Sequence, residues 1–151
     1  MLAEYQRRLQ ICIANCSSTD PVACVPDDEV LTQYGRVDGH GALHFYDRPK
    51  PGQYELSMLR GQLKAEDACR RVLGARAVPK MRVGARARYI SAGVLRDAGL
   101  GVAHTPGFGS SDGHVSVSWP PDRLPAPDVT WPNEVAGHFA NCFTDHEGGS
   151  E

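Results

Sequence analysis

A small α+β domain, built on a mainly antiparallel sheet of four or five short strands, is the fold this sequence predicts. Three observations lead there. Of 151 residues 41% are hydrophobic, enough for one ordinary core and too few for two independent ones. Sixteen glycines and 11 prolines cut the chain into short segments, which excludes a bundle of long helices. Period-two runs such as "HVSVSW" alternate with stretches of helical period, so both element types are present.

The elements follow in order. Leu2, Tyr5, Leu9, Cys12, Ile13 and Cys16 recur at spacings of three and four, so residues 2–16 read as an amphipathic helix that "SSTDP" ends. "VPDDEVLTQYGRV" is a turn feeding a short helix or strand around Glu29 to Tyr34, and "ALHFY" is one short strand between turns. A strand from Tyr54 to Leu59 precedes a helix over 64–73, with Leu63, Ala68, Val72 and Leu73 facing the core and Gly74 as its stop. In "KMRVGARARYI", Val83, Ala85, Ala87 and Tyr89 alternate with Arg82, Arg86 and Arg88, the pattern of a half-buried strand with its arginines outward. Ser91 suits the N-cap of "AGVLRDA", and Gly99 closes that helix.

"LGVAH" and "HVSVSW" are two strands joined across residues 105–113, so the core spans 25–119. "PPDRLPAP" cannot be helix or central strand, which makes 120–131 a stiff linker. A second terminal helix is predicted over 132–146, with Pro132 tolerated in its first turn. The helices at 64–73 and 92–98 are expected on one face of the sheet, with the two terminal helices packed outside it.

Charge is segregated along the chain. Between Arg60 and Arg96 stand ten Lys or Arg and only Glu66 and Asp67, a formal +8 within a net charge of −2. Such a segment creates a local field for an anionic partner. Arg82, Arg86 and Arg88, sharing parity on one strand, are the expected binding row, because the guanidinium suits carboxylate and phosphate alike. With Tyr89 the only aromatic there, base stacking is poorly provided for, so an acidic protein partner is favoured over nucleic acid. No stretch approaches the length of a membrane span or a secretory leader, so a cytoplasmic location is expected, with the five cysteines as free thiols.

Two further constellations carry chemistry. Cys12 and Cys16 lie four apart on the first helix, as do His138, Cys142 and His146 on the last; Cys12, Cys16, His138 and Cys142 could together give zinc a tetrahedral site. No other cofactor is implied. The loop "GFGSSDG" places Gly107, Gly109 and Gly113 in the wrong spacing for a dinucleotide cradle and is followed by a strand, so it reads as a connection. The flanking His104 and His114 are expected to face each other across the mouth of that hairpin, as acid and base of a phosphodiester- or nucleotide-processing site.

Residues 114–117, "HVSV", resemble the His-apolar-Ser-apolar strand of the two-histidine phosphoesterases, a family that uses two such strands; no second copy stands in this chain. The order "GRV", "ELSML", "AGVLRDAGLGVAHTPGF" and "GHVSVSW" over residues 30–119 resembles a group of small bacterial domains of unassigned function found with accessory genes of conflict and toxin systems. That resemblance implies an accessory role and no catalytic residues. The leading expectation is therefore a non-catalytic interaction module that binds an acidic macromolecular partner. The enzyme built on His104 and His114 and the zinc-stabilised binding domain are its alternatives.

Overall fold

Branched and aromatic residues make Val30–Val37 the longest strand, β1, and every neighbour it acquires runs antiparallel to it. The computed structural model describes residues 25–49, 56–81, 83–104, 113–119, 131–143 and 146–147. After β1 come β2 (Leu43–His44), β3 (Leu56–Arg60), α1 (Ala65–Leu73), a 3-10 helix (Ala75–Lys80), β4 (Arg86–Ser91) and α2 (Ala92–Asp97). β5 (Gly101–His104), β6 (His114–Ser118), α3 (Asn133–Asn141) and β7 (His146–Glu147) complete the order. The strands lie as β5-β6-β3-β1-β4-β7, with β2 paired to the far end of β1. The chain is thus an α+β fold on an antiparallel sheet, five of whose strands are four to eight residues long.

Register decides which residues share a face. Leu31 lies opposite both Arg60 and Ile90, Met58 opposite Val115, and Val102 opposite Val117, so these side chains stand on one face of the sheet. Leu31, Leu56, Met58, Ile90, Val102, Val115 and Val117 form the core there, closed by Ala92 and Leu95 of α2 and by Trp131, Phe139 and Phe143 around α3. Phe139 is fully buried and meets both other rings edge-on, with centroids 5.8 Å from Trp131 and 5.1 Å from Phe143.

α1 lies on the other face. Its buried residues are the small Ala65, Ala68 and Cys69. The Thr32 hydroxyl donates to the Gly61 carbonyl (2.6 Å) and accepts from the Leu63 N–H (2.9 Å), while the Tyr89 hydroxyl donates to the Leu63 carbonyl (2.7 Å). Tyr34 bonds the Cys69 thiol, and burial with that contact pushes its phenol up to about 12.

Several sequence expectations are corrected here. The two inner helices cover opposite faces: the chain turns back at Gly61 (φ +87) to lay α1 on the second face, whereas β4 runs directly into α2 on the first. Val72 and Leu73 are 43% and 50% exposed because only small side chains fit beneath α1. Val83 is 99% exposed at a turn with Gly84 (φ +98), and β4 begins only at Arg86. Ser91 does precede α2, but its side chain caps nothing; the Ala92 and Gly93 N–H groups instead donate to the carbonyls of Glu29 (3.0 Å) and Asp27 (2.8 Å). The last helix is a wall of the core rather than an outer layer. It ends at Asn141, after which His146 and Glu147 pair with Arg88 and Ala87 of β4. The predicted helix at 2–16 and residues 120–130 of the predicted linker lie outside the described residues, while Trp131, the linker's predicted last residue, is buried in the core instead.

Because Phe139 joins the sheet core to Trp131 and Phe143, replacing it removes a whole ring from a packed site. Phe139→Ala should cost about 3–5 kcal/mol, read as a lower urea midpoint with the slope unchanged.

Candidate functional site

Three arginines of the basic third are paired with the chain's own acids. Arg60 grips Glu29 with two nitrogens, Nη2 at 2.6 Å. Arg96 donates to Asp27 Oδ1 (2.7 Å) and to the carbonyls of Val25 (2.7 Å) and Val102 (3.1 Å), tying the approach to β1 onto α2 and β5. Arg70 reaches back along α1 to Asp67 and Glu66. These are arginines that hold the fold.

Arg88 departs furthest from the sequence reading. It was expected in an outward row with Arg82 and Arg86, yet it is only 6% exposed. Parity is the reason: Arg88 stands opposite Gln33 on the face that α3 covers, and it is the aromatic residues that make this cover thick enough to enclose a guanidinium. Its Nε donates to Gln33 Oε1 (2.6 Å), and its guanidinium carbon lies 3.8 Å from the Phe143 centroid, 4.5 Å from that of Phe45 and 5.6 Å from that of Phe139. Cation–π contacts of about 0.5–2 kcal/mol each offset part of the several kcal/mol that burying the charge costs. Burial lowers the guanidinium to about 10, with Asp47 opposing the shift, so Arg88 is charged at neutral pH. Nη2 is buried without a hydrogen-bond partner among the described residues. Arg86 is half-buried at the start of β4, and Arg82 lies outside the described residues.

The rings over Arg88 are set by the β1–β2 connection. Gly35 lies beneath Phe45, and a Cβ there would sit 2.5 Å from the ring, so only glycine admits it. Gln33 Nε2 holds the Tyr46 carbonyl (2.5 Å), and Arg36 holds the Tyr46 hydroxyl (2.6 Å). Asp38 organises the turn: Oδ1 accepts from the N–H groups of His40 (2.8 Å) and Ala42 (3.0 Å), and Oδ2 meets His44 Nε2. None of this was legible beforehand, because the sequence shows "ALHFY" only as an apolar run.

The two histidines do not assemble. Register pairs His104 with Val115 and His114 with Leu59, so His104 stands on the Val115 face and His114 on the opposite one, with Ser57, Ser116 and Ser118. Facing each other would have required an offset of even parity. What His114 does meet is a residue sequence reasoning missed: its Nε2 lies 2.9 Å from Oγ of Ser57, which is exposed while the imidazole is buried. A hydroxyl at that distance from an imidazole is the first requirement of an activated nucleophile. Only strand register, invisible in one sequence, brings the two together. Ser118 Oγ, on the same face, is buried without a hydrogen-bond partner among the described residues.

Of the four expected zinc ligands, Cys12 and Cys16 lie outside the described residues. His138 is exposed beside Glu134 (3.7 Å), while the Cys142 thiol donates to the His138 carbonyl (3.1 Å). Burial raises the Cys142 thiol, which disfavours the thiolate a metal needs. Among the described residues no three His, Cys, Asp or Glu side chains converge as metal ligands, and no helix is long and apolar enough to cross a membrane.

Comparison with known protein families, with curated proteins and with solved structures finds no match to this chain.

The Asp38 turn generates a pH prediction. The His44 hydrogen bond, followed by the two backbone N–H groups, holds the Asp38 carboxyl down to about 2. A depressed acid supports the folded state above its unfolded value and loses that support as pH falls through its folded value. Amide exchange at His40 and Ala42 should therefore show extra opening, beyond intrinsic exchange, between about pH 4 and pH 2. Asp38→Asn should abolish that dependence.

Proposed function

We propose that this protein is a non-catalytic interaction module of the cytoplasm that binds an acidic protein segment. The surface in question runs from the end of α1 over the 3-10 helix to the turn before β4. Its supporting observation is an exposed mixture of aliphatic and cationic side chains: Val72, Leu73 and Val83 stand out of the core among Arg71, Arg76 and Lys80. No Asp or Glu occurs between Asp67 and Asp97, so the surface has no acid of its own sequence neighbourhood. Arg76 and Lys80 make no ion pair with any described residue, unlike Arg60, Arg70 and Arg96. Exposed aliphatic groups need an apolar partner and the cations need carboxylates, a combination an acidic, partly apolar peptide supplies. Nucleic acid fits less well, because the aromatic residue nearby, Tyr89, is half-buried with its hydroxyl on Leu63. The likeness to small domains accompanying bacterial conflict genes belongs to the same reading and adds an accessory role.

Arg76→Glu with Lys80→Glu should leave the urea midpoint within about 0.5 kcal/mol of the parent, as exposed changes do. The pair should cut retention on immobilised poly-glutamate about tenfold or more and flatten its salt dependence. Leu73→Ser should weaken capture of acidic peptides containing leucine but not of poly-glutamate. Unchanged retention, or tighter binding to a DNA duplex than to poly-glutamate, would overturn the proposal.

A second reading rests on the contact between Ser57 and His114: a hydrolase whose serine hydroxyl gives its proton to the imidazole and attacks a carbonyl or phosphoryl centre, the leaving group departing with that proton and water then hydrolysing the serine ester. An organofluorophosphonate should then label Ser57 with loss of fluoride, and labelling should vanish in Ser57→Ala and His114→Gln. Absence of labelling in the parent protein removes this reading.

A further inference from the structure

Two buried N–H donors on the face of the sheet that α3 covers meet no acceptor among the described residues. They are Arg88 Nη2 and Trp131 Nε1. Both side chains lie against the same ring: the Arg88 guanidinium carbon is 5.6 Å, and the indole centroid 5.8 Å, from the centroid of Phe139. Buried donors are ordinarily paired, because an unpaired one has given up water and received nothing. Phe45 and Phe143 stabilise the charge with their faces but have no lone pair for Nη2. The chemistry missing from this place is an acceptor, and beside a cation the strongest acceptor is an anionic oxygen. The surrounding rings favour an apolar, planar carrier for that oxygen.

The structure also offers a way in. On its other side the guanidinium meets the segment 45–48, where Phe45 lies over it, half-buried, and Tyr46 is exposed. Arg48 Nη1 ties the segment to the start of α3 through Asn133 Oδ1 (3.1 Å), while Gln33 and Arg36 tie it to β1 through Tyr46. The Arg48 bond is exposed and water replaces it readily, so the α3 end is the cheaper one to release. The Gly61 turn and α1 lie on the opposite face, so the site is separate from the part of the docking surface that α1 carries.

We propose that Arg88 and Trp131 form a binding site for a carboxylate carried on an aromatic group, covered in this structure by the segment from Phe45 to Arg48. The same chemistry is presented by a small aromatic acid and by a peptide ending in an aromatic residue with a free carboxylate. The guanidinium would bond one carboxylate oxygen through Nη2, the indole N–H would complete the acceptor's coordination, and the ligand ring would stack among Phe45, Phe139 and Phe143.

The test uses the full chain with Trp119→Phe, which leaves Trp131 as the only tryptophan reporter. Titration with phenylacetate, with N-acetyl-phenylalanine and with a tripeptide ending in phenylalanine should change Trp131 fluorescence saturably and raise the melting temperature. The corresponding amides should do neither, and ranking the three acids identifies whether small acids or peptide ends are the better source. Arg88→Lys should weaken binding about tenfold or more, since a point charge cannot reproduce the guanidinium geometry. Arg48→Ala, an exposed change that leaves the core intact, should tighten binding or speed association by freeing the cover. This second variant decides the matter if Arg88→Lys does not fold. No saturable change at millimolar acid, equal responses to acid and amide, or an Arg48→Ala protein indistinguishable from its parent would each overturn the proposal. None of these outcomes bears on poly-glutamate retention, so the two readings fail separately.

Discussion

Leu31 and Thr32 are adjacent in β1, point to opposite faces of the sheet, and are both fully buried. A strand buried on both faces cannot exist without a layer on each side, and the rest of the molecule supplies those layers. On the Leu31 side the cover is large and apolar, from α2 and from the aromatic residues around α3. On the Thr32 side it is thin, made of alanines, a cysteine and hydroxyl groups bonded to the turn after β3. The two sides have different chemistry because their residues differ in size: a face of Leu, Met, Ile and Val accepts rings, whereas a face bearing Thr, Ser and Ala brings a helix backbone close.

The same constraint explains how charge is handled. A central strand with both faces covered leaves its paired neighbours little solvent, so arginines near it must find partners or be enclosed. Arg60 and Arg96 reach the rim and meet Glu29 and Asp27 from the segment leading into β1. The Arg60–Glu29 pair is largely shielded from water, which makes it worth more than the exposed bridges of Arg96 to Asp27 and of Arg70 along α1. Arg88 reaches no rim. It is held by Gln33 and by ring faces, a solution that tolerates the charge without neutralising it. The cations of α1 and the 3-10 helix stay on the surface, where the packed residues are too small to draw the long side chains inward.

Much of this architecture could be read in advance. Antiparallel pairing, the hairpin of β5 and β6, the Gly74 stop and the helix beginning after Ser91 follow from periodicity and from glycine and serine chemistry, which act over a few residues. The candidate sites were far less legible. Ser57 and His114 are 57 positions apart and meet only through the register of β3 with β6. Val72 and Leu73 looked like core by helical spacing, and their exposure depends on how closely α1 approaches β1. The phenyl rings on Arg88 come from two stretches of chain about ninety residues apart, and Gly35 was unremarkable until Phe45 was seen above it.

By itself the sequence determined that the chain forms one α+β core on a short-stranded antiparallel sheet, that its basic residues cluster in the middle third, and that Arg82, Arg86 and Arg88 share one parity. Only tertiary structure decided which side that parity faces. Alternation states that Arg88 and Ala87 point opposite ways, but not which of the two sides an aromatic helix will cover. That choice is made by connections, the turn at Gly61 sending α1 to one face while α2 and α3 close the other, and it turned an expected surface cation into a buried one. Parity is local and readable from neighbours in the chain, whereas burial is a property of what arrives from far away along it.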